Sequence, residues 1–171
     1  MKALDTHAPT TTLYTTMPSP IGELLITGDG TAMTRLLMSP FEIDNAWVRD
    51  DDALHPYVVQ LEDYFAGKRR DFDIPLAPVG TEFQRRVWQA LCEIPYGQTW
   101  SYLQLATHVG NPKACRAVGL ANGRNPIAVV VPCHRVIGAN GSLTGYGGGM
   151  DRKRLLLDLE KRIASAQLEL I

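Results

Sequence analysis

A chain of 171 residues, 45% hydrophobic and 20% charged, is long enough to bury a core as one domain or two small ones. No apolar run approaches the ~20 residues that cross a bilayer. The first residues, with Asp5 and repeated threonines, lack the basic-then-apolar layout of a signal peptide, so a cytoplasmic protein with no membrane contact is expected. Cys92, Cys115 and Cys133 form an odd set without Cys-x-x-Cys spacing, which suits a reducing compartment and argues against a disulfide framework or a zinc ribbon. His7, His55 and His108 are scattered, and no Gly-x-Gly-x-x-Gly run is present, so neither a metal nor a cofactor is expected.

In chain order, Leu13 to Met17, Leu24 to Thr27 and Met33 to Met38 are short β-rich runs separated by Pro-, Gly- and Asp-rich turns, the pattern of an antiparallel meander. Leu54 to Phe65 carries Tyr57, Val58, Leu61, Tyr64 and Phe65 at helical spacing, with Gly67 placed to end the helix. Asp50, Asp51 and Asp52 read as the solvated start of that helix, because three consecutive carboxylates do not converge on one ion. Nothing in this half shows chemistry. Pro75 to Gly80 reads as a linker, dividing the chain into residues 1–78 and 79–171.

The second half differs in charge. Residues 1–80 hold 6 Lys and Arg against 12 Asp and Glu, whereas residues 81–171 hold 11 against 6, so the second half is the one suited to phosphates. Thr81 with Gln84 forms a capping box ahead of an amphipathic helix bearing Phe83, Val87, Trp88 and Leu91. Ser101 with Gln104 repeats the pattern for a second helix that stops at Gly110. Asn111-Pro112 offers a cap and first-turn proline for a third helix running to Gly123. Two helices around a short turn read equally as a DNA-binding helix-turn-helix or as an ordinary αα corner. Lys113 and Arg116, three apart, are expected on one exposed face of the third helix, with the alanines and Val118 toward the core.

Between Asn125 and Gly149 an apolar run bracketed by Pro126 and Pro132 delivers Cys133, with His134 beside it, to a glycine-rich loop containing Tyr146 and Gly147. A thiol at a helical turn next to an imidazole is pushed toward thiolate, the attacking form. Taken alone, Cys133 reads as well as a buried small residue, and Tyr146 as a loop aromatic. A final helix, with Asp151 as its cap and Leu155, Leu156 and Leu159 facing the core, carries Glu160.

The run Pro132-Cys133-His134-Arg135-Val136-Ile137 resembles the active-site hallmark of the O6-alkylguanine-DNA alkyltransferases, and the likeness extends from Tyr102 through Arg116, Asn125 and Tyr146 to Glu160. The resemblance implies an α/β fold in which a ribonuclease H-like N-terminal domain precedes a mainly helical C-terminal domain with a helix-turn-helix. It implies repair without a cofactor. The alkyl group of O6-alkylguanine, with O4-alkylthymine as a further candidate, passes once and irreversibly to Cys133. By the same resemblance His134 is general base through a water, Glu160 orients the imidazole, Tyr102 donates toward guanine N3, and Asn125 braces the turn. The backbone carbonyls of Cys133 and Val136 hold the exocyclic amine, and Tyr146 and Gly147 line the pocket. Arg116 takes the place of an extruded nucleotide in double-stranded DNA entered from the minor groove, with Lys113, Ala117 and Ser101 also at the DNA. The protein is expected to act as a monomer, with cooperative assembly along DNA left open. The cysteines that bind a structural zinc in some relatives are missing. A Cys-His hydrolase and a noncatalytic DNA-binding regulator are the competing classes; the first has no need of the helix pair and the second none of Cys133.

Overall fold

The computed structural model describes residues 10–143 and 145–168; Asp5, His7 and Thr144 lie outside them. Strands β1 (Leu13–Met17), β2 (Leu24–Gly28) and β3 (Met33–Met38) form the expected meander, and a two-residue β4 (Val48–Arg49) adds parallel to β1, giving the order β3-β2-β1-β4. All five residues of β2 are buried, so Leu24, Leu25 and Ile26 follow one another without a polar alternation and the buried Thr27 hydroxyl is paired with that of Thr34 at 2.6 Å. Helix α1 (Asp51–Phe65) packs on this sheet and begins three residues before the apolar pattern. Asp50 is its cap, accepting from Ala53 N, with Asp51 and Asp52 in the first turn where they oppose the helix dipole. Gly67, at φ 76°, turns the chain out of it.

The segment read as a linker is held. Met33 N donates to Pro75 O and Ala77 N to Met33 O, and farther along the same strand Leu36 N donates to Pro126 O and Ala128 N to Leu36 O. The open edge of β3 is thereby covered by the connection and by the run that leads to Cys133. A single apolar cluster extends from Met17, Leu24 and Tyr64 to Val87, Val131, Leu156 and Leu159, so the two halves share one core.

Helix α2 (Glu82–Leu91) and α3 (Tyr102–Val109) each start with a complete capping box, from Thr81 with Gln84 and from Ser101 with Gln104. Trp88 Nε1 donates to the Ala121 carbonyl at 2.8 Å and locks α2 against the fourth helix, which carries Ala121. Gly110, at φ 98°, ends α3, with Asn111 N reaching back to Ala106 O. Helix α4 (Cys115–Gly123) starts three residues later than Asn111-Pro112 suggested. Asn111 spends its side chain on Lys113 N and its carbonyl on Ala114 N, making a separate turn; Lys113 lies on that turn and not on the helix.

Two-residue strands β5 (Trp100–Ser101) and β6 (Val136–Ile137) pair in parallel and tie the start of α3 to the residues after Cys133. Helix α5 (Met150–Leu168) has Asp151 inside its first turn and not as a cap. Its inward stripe is Lys153, Leu156, Leu159 and Glu160, while Leu155 is exposed, since neighbours on a helix lie about 100° apart. Among the described residues no helix is long and apolar enough to cross a membrane.

Candidate active site

The apolar run Ile127–Val131 is a buried turn, with Val131 N bonded to Ile127 O and Val130 N to Ala128 O. It places Val129 at φ 69°, a conformation that costs a β-branched residue energy and persists only where its surroundings impose it. Asn125 imposes it. Its Nδ2 donates to Val131 O at 2.8 Å and Ile127 O at 3.3 Å, and its Oδ1 accepts from Ile127 N at 3.0 Å. Pro132 then opens a single 3-10 turn over Cys133–Arg135, as its position suggested.

All three residues of that turn are buried. His134 Nε2 lies 2.8 Å from Glu160 Oε1, and Arg135 forks onto the same carboxylate, Nε to Oε2 at 2.9 Å and Nη2 to Oε1 at 2.8 Å. Arg135 Nη1 donates to Ile94 O at 2.8 Å. Burial alone raises a carboxyl pKa, but His134 and Arg135 outweigh it and bring Glu160 down to about 2. The carboxylate is therefore ionised and accepts only, so Nε2 of His134 carries the proton. Burial also lowers the His134 pKa, against the pull of Glu160, keeping the ring neutral. Nδ1 is thus left with a lone pair and no hydrogen-bond partner among the described residues.

The Cys133 thiol departs from expectation. Burial pushes its pKa up, and the opposing influences, an Asn125 side-chain hydrogen bond and the charge of Lys153, do not overcome it. The free protein holds a thiol, so a base must remove its proton. Lys153 is itself fully buried, its Nζ donating to Val136 O at 2.5 Å.

Cys133 opens onto a cavity of about 610 Å³. One wall is Asn122, Gly123 and Asn125; another is the loop Gly145–Gly149 with Tyr146 and Gly147; the third, Leu36–Phe41, comes from the N-terminal half, where no chemistry was visible in sequence. Arg152 holds that third wall, donating from Nη1 to Ser39 O at 2.6 Å and from Nη2 to Ser39 Oγ at 3.1 Å. The Tyr146 hydroxyl points to Met38 Sδ at 3.8 Å. Tyr102 opens α3 with its ring over Gly119 and its hydroxyl beside Gly145, at the cavity rim.

The profile of the 6-O-methylguanine DNA methyltransferase DNA binding domain matches residues 82–162, and that of the ribonuclease-like domain matches residues 12–78. The chain is 54% identical over 160 residues to the methylated-DNA–protein-cysteine methyltransferase of Mycobacterium tuberculosis, covering 92% of this chain and 97% of that one. The chain belongs to the 6-O-methylguanine DNA methyltransferase family. A Methanosarcina acetivorans member is 52% identical over 151 residues, 86% of this chain and 97% of its own. The crystal structure of the M. tuberculosis O6-methylguanine methyltransferase superposes with a TM-score of 0.85 at 53% identity, over 94% of this chain and 99% of that one. A crystal structure of the M. tuberculosis protein in complex with DNA gives a TM-score of 0.85 at 54% identity, over 88% and 94% of the two chains.

In this family member Arg116 and Ala117 project from α4 into solvent, and Lys113 is exposed on the preceding turn. Ser101 is half-buried with its hydroxyl taken by the Gln104 amide. Leu120, 64% exposed one turn beyond Arg116, and Leu103, 55% exposed, add apolar surface to α4 and α3. Sequence reading passed over Arg135, Lys153, Arg152 and Tyr64. Lys153 had a signal, since it sits seven residues before Glu160 and therefore on the same helix face.

Proposed function

We propose that the protein repairs O6-alkylguanine in duplex DNA by direct reversal, moving the alkyl group to its own Cys133. The observation that carries this is the placement of Cys133 on a cavity large enough to admit a base, beside a neutral, buried His134 whose Nε2–H is pinned by Glu160 and whose Nδ1 is free to accept. His134 Nδ1 takes the thiol proton through a water, and sulfur attacks the alkyl carbon in line with the C–O6 bond. A carbon–sulfur bond forms, the carbon–oxygen pair returns to the purine, and the ring takes up one proton to leave as guanine. Tyr102 donates toward N3. The exocyclic amine is held by backbone carbonyls of Cys133 and Val136, each already an acceptor within the protein; the Val136 carbonyl takes Lys153 Nζ at 2.5 Å. The Cys133 carbonyl already takes Val136 N–H and, at 3.5 Å, Asn122 Nδ2. Glycine at position 147 leaves room for longer alkyl groups, and Tyr146 packs on the base.

The helix pair α3 and α4 acts as a helix-turn-helix in the minor groove. Arg116 fills the space of the extruded nucleotide, restoring part of the few kcal/mol of lost stacking, and Lys113 meets phosphate. The unit that acts is a monomer in the cytoplasm, built from domains 1–78 and 79–171. Incubation with a duplex carrying O6-methylguanine should add one methyl, located by peptide mass spectrometry at Cys133, while Cys133→Ser binds the duplex and gains nothing. Methanol in solution with an unmodified Cys133 would instead indicate hydrolysis.

A further inference from the structure

Glu160 Oε1 accepts from three donors brought by two separate parts of the chain. His134 Nε2 and Arg135 Nη2 stand beside Cys133 in sequence, whereas the third, the Tyr64 hydroxyl at 2.7 Å, comes from α1 in the N-terminal half, 96 residues away. Tyr64 is fully buried, its ring edge-on to Phe65 at 5.2 Å and to Tyr96 at 6.3 Å, so the hydroxyl has a fixed direction. Packing alone is satisfied by phenylalanine; a buried hydroxyl carries a desolvation cost that only its hydrogen bond offsets.

We propose that Tyr64 is a positioning residue for alkyl transfer, its hydroxyl setting how strongly Glu160 draws on the His134 Nε2–H and hence how basic Nδ1 is. The proposal rests on the reading in which His134 deprotonates Cys133. An oxygen that accepts three hydrogen bonds shares its electron density among them, and each donor weakens the hold on the others. Tyr64 tempers the carboxylate, and without its hydroxyl the imidazolium form gains. Other charged or titratable groups around the imidazole and its carboxylate include Glu160 itself and Lys153 from α5, Arg135 and Cys133 from the turn, Tyr146 from the cavity loop, and Tyr96 with Arg70 stacked across its ring and Arg162 nearby. Tyr64→Phe leaves each of these in place. The N-terminal half thus contributes to the chemistry as well as to one wall of the cavity.

The test is the pH profile of Cys133 alkylation by free O6-benzylguanine, measured on full-length wild type and Tyr64→Phe between about pH 5 and 9. The inflection should move upward by about 0.5–1 pH unit, with duplex affinity unchanged. Nitrogen NMR of the His134 ring should show the same upward movement. A structural role alone lowers thermal stability and the active fraction but leaves the profile where it was. Superimposable profiles and an unmoved imidazole titration would overturn the proposal while leaving alkyl transfer intact. Failure of the wild type to alkylate Cys133 would overturn the parent reading instead, with the imidazole titration still deciding the effect of Tyr64.

Discussion

Replacing Glu160 with glutamine keeps the shape of the side chain and removes its charge from the centre of the buried network. The Glu160 carboxyl is held at about 2 against an ordinary 4.5, which corresponds to about 3 kcal/mol favouring the folded, ionised form at neutral pH. Breaking one partner of a buried ion pair costs about 3–5 kcal/mol by a separate route, here because the Arg135 side chain, only 7% exposed, keeps its bond to Ile94 O but loses its counter-charge. The two agree, and for a chain of this size they predict a Tm lower by roughly 6–12 °C at pH 7. Because the folded pKa is depressed, the stabilisation is complete above about pH 4.5 and disappears as pH falls through about 2. The gap between wild type and Glu160→Gln in urea or thermal unfolding should therefore narrow steadily below about pH 4.5. A gap of less than about 1 kcal/mol at pH 7, as for a solvent-exposed pair, or one that stays constant into acid, would refute the reasoning.

Arg116→Ala should weaken duplex affinity and slow repair in duplex, yet leave reaction with free O6-benzylguanine nearly unchanged, since Arg116 lies outside the cavity that holds Cys133; equal slowing on both substrates would remove its intercalating role. His134 is held neutral by burial, so the unfolded chain binds a proton that the folded one refuses: stability should fall as pH drops below about 6.5, and His134→Gln should lose that part of the acid sensitivity in pH-dependent unfolding. Gly97→Ala should destabilise by about 1–3 kcal/mol in chemical denaturation, because Gly97 sits at φ 78° and an added Cβ would lie 2.8 Å from the Ala164 Cβ.

The features legible in the sequence were those written in local spacing. Thr81 with Gln84, Ser101 with Gln104, Gly67 and Gly110 mark helix ends through bonds made within a few residues, and the meander follows from turn residues between apolar runs. The reactive motif was legible by resemblance to a family. Most of what escaped was set by contacts distant in sequence. Strands β5 and β6 have two residues each and exist only through pairing with one another. Tyr64 looked like one more core aromatic because nothing near it in the chain announces Glu160. The third cavity wall depends on β3 docking along Pro126–Ala128. Helix α4 begins late because the Asn111 side chain, a good helix cap by type, serves a separate turn. Cys133 stays a thiol because its burial, which no local motif encodes, raises its pKa more than Asn125 and Lys153 lower it.

Transfer to a cysteine leaves a thioether, a poor alkyl donor, and neither Cys92, exposed, nor Cys115, half-buried, is placed as a partner to reverse it. The most direct measurement is the stoichiometry of repair on a duplex carrying labelled O6-methylguanine in large excess. The account predicts a plateau at one methyl per polypeptide, with the label on the peptide containing Cys133. Continued turnover past that plateau, or label on any other residue, would contradict it.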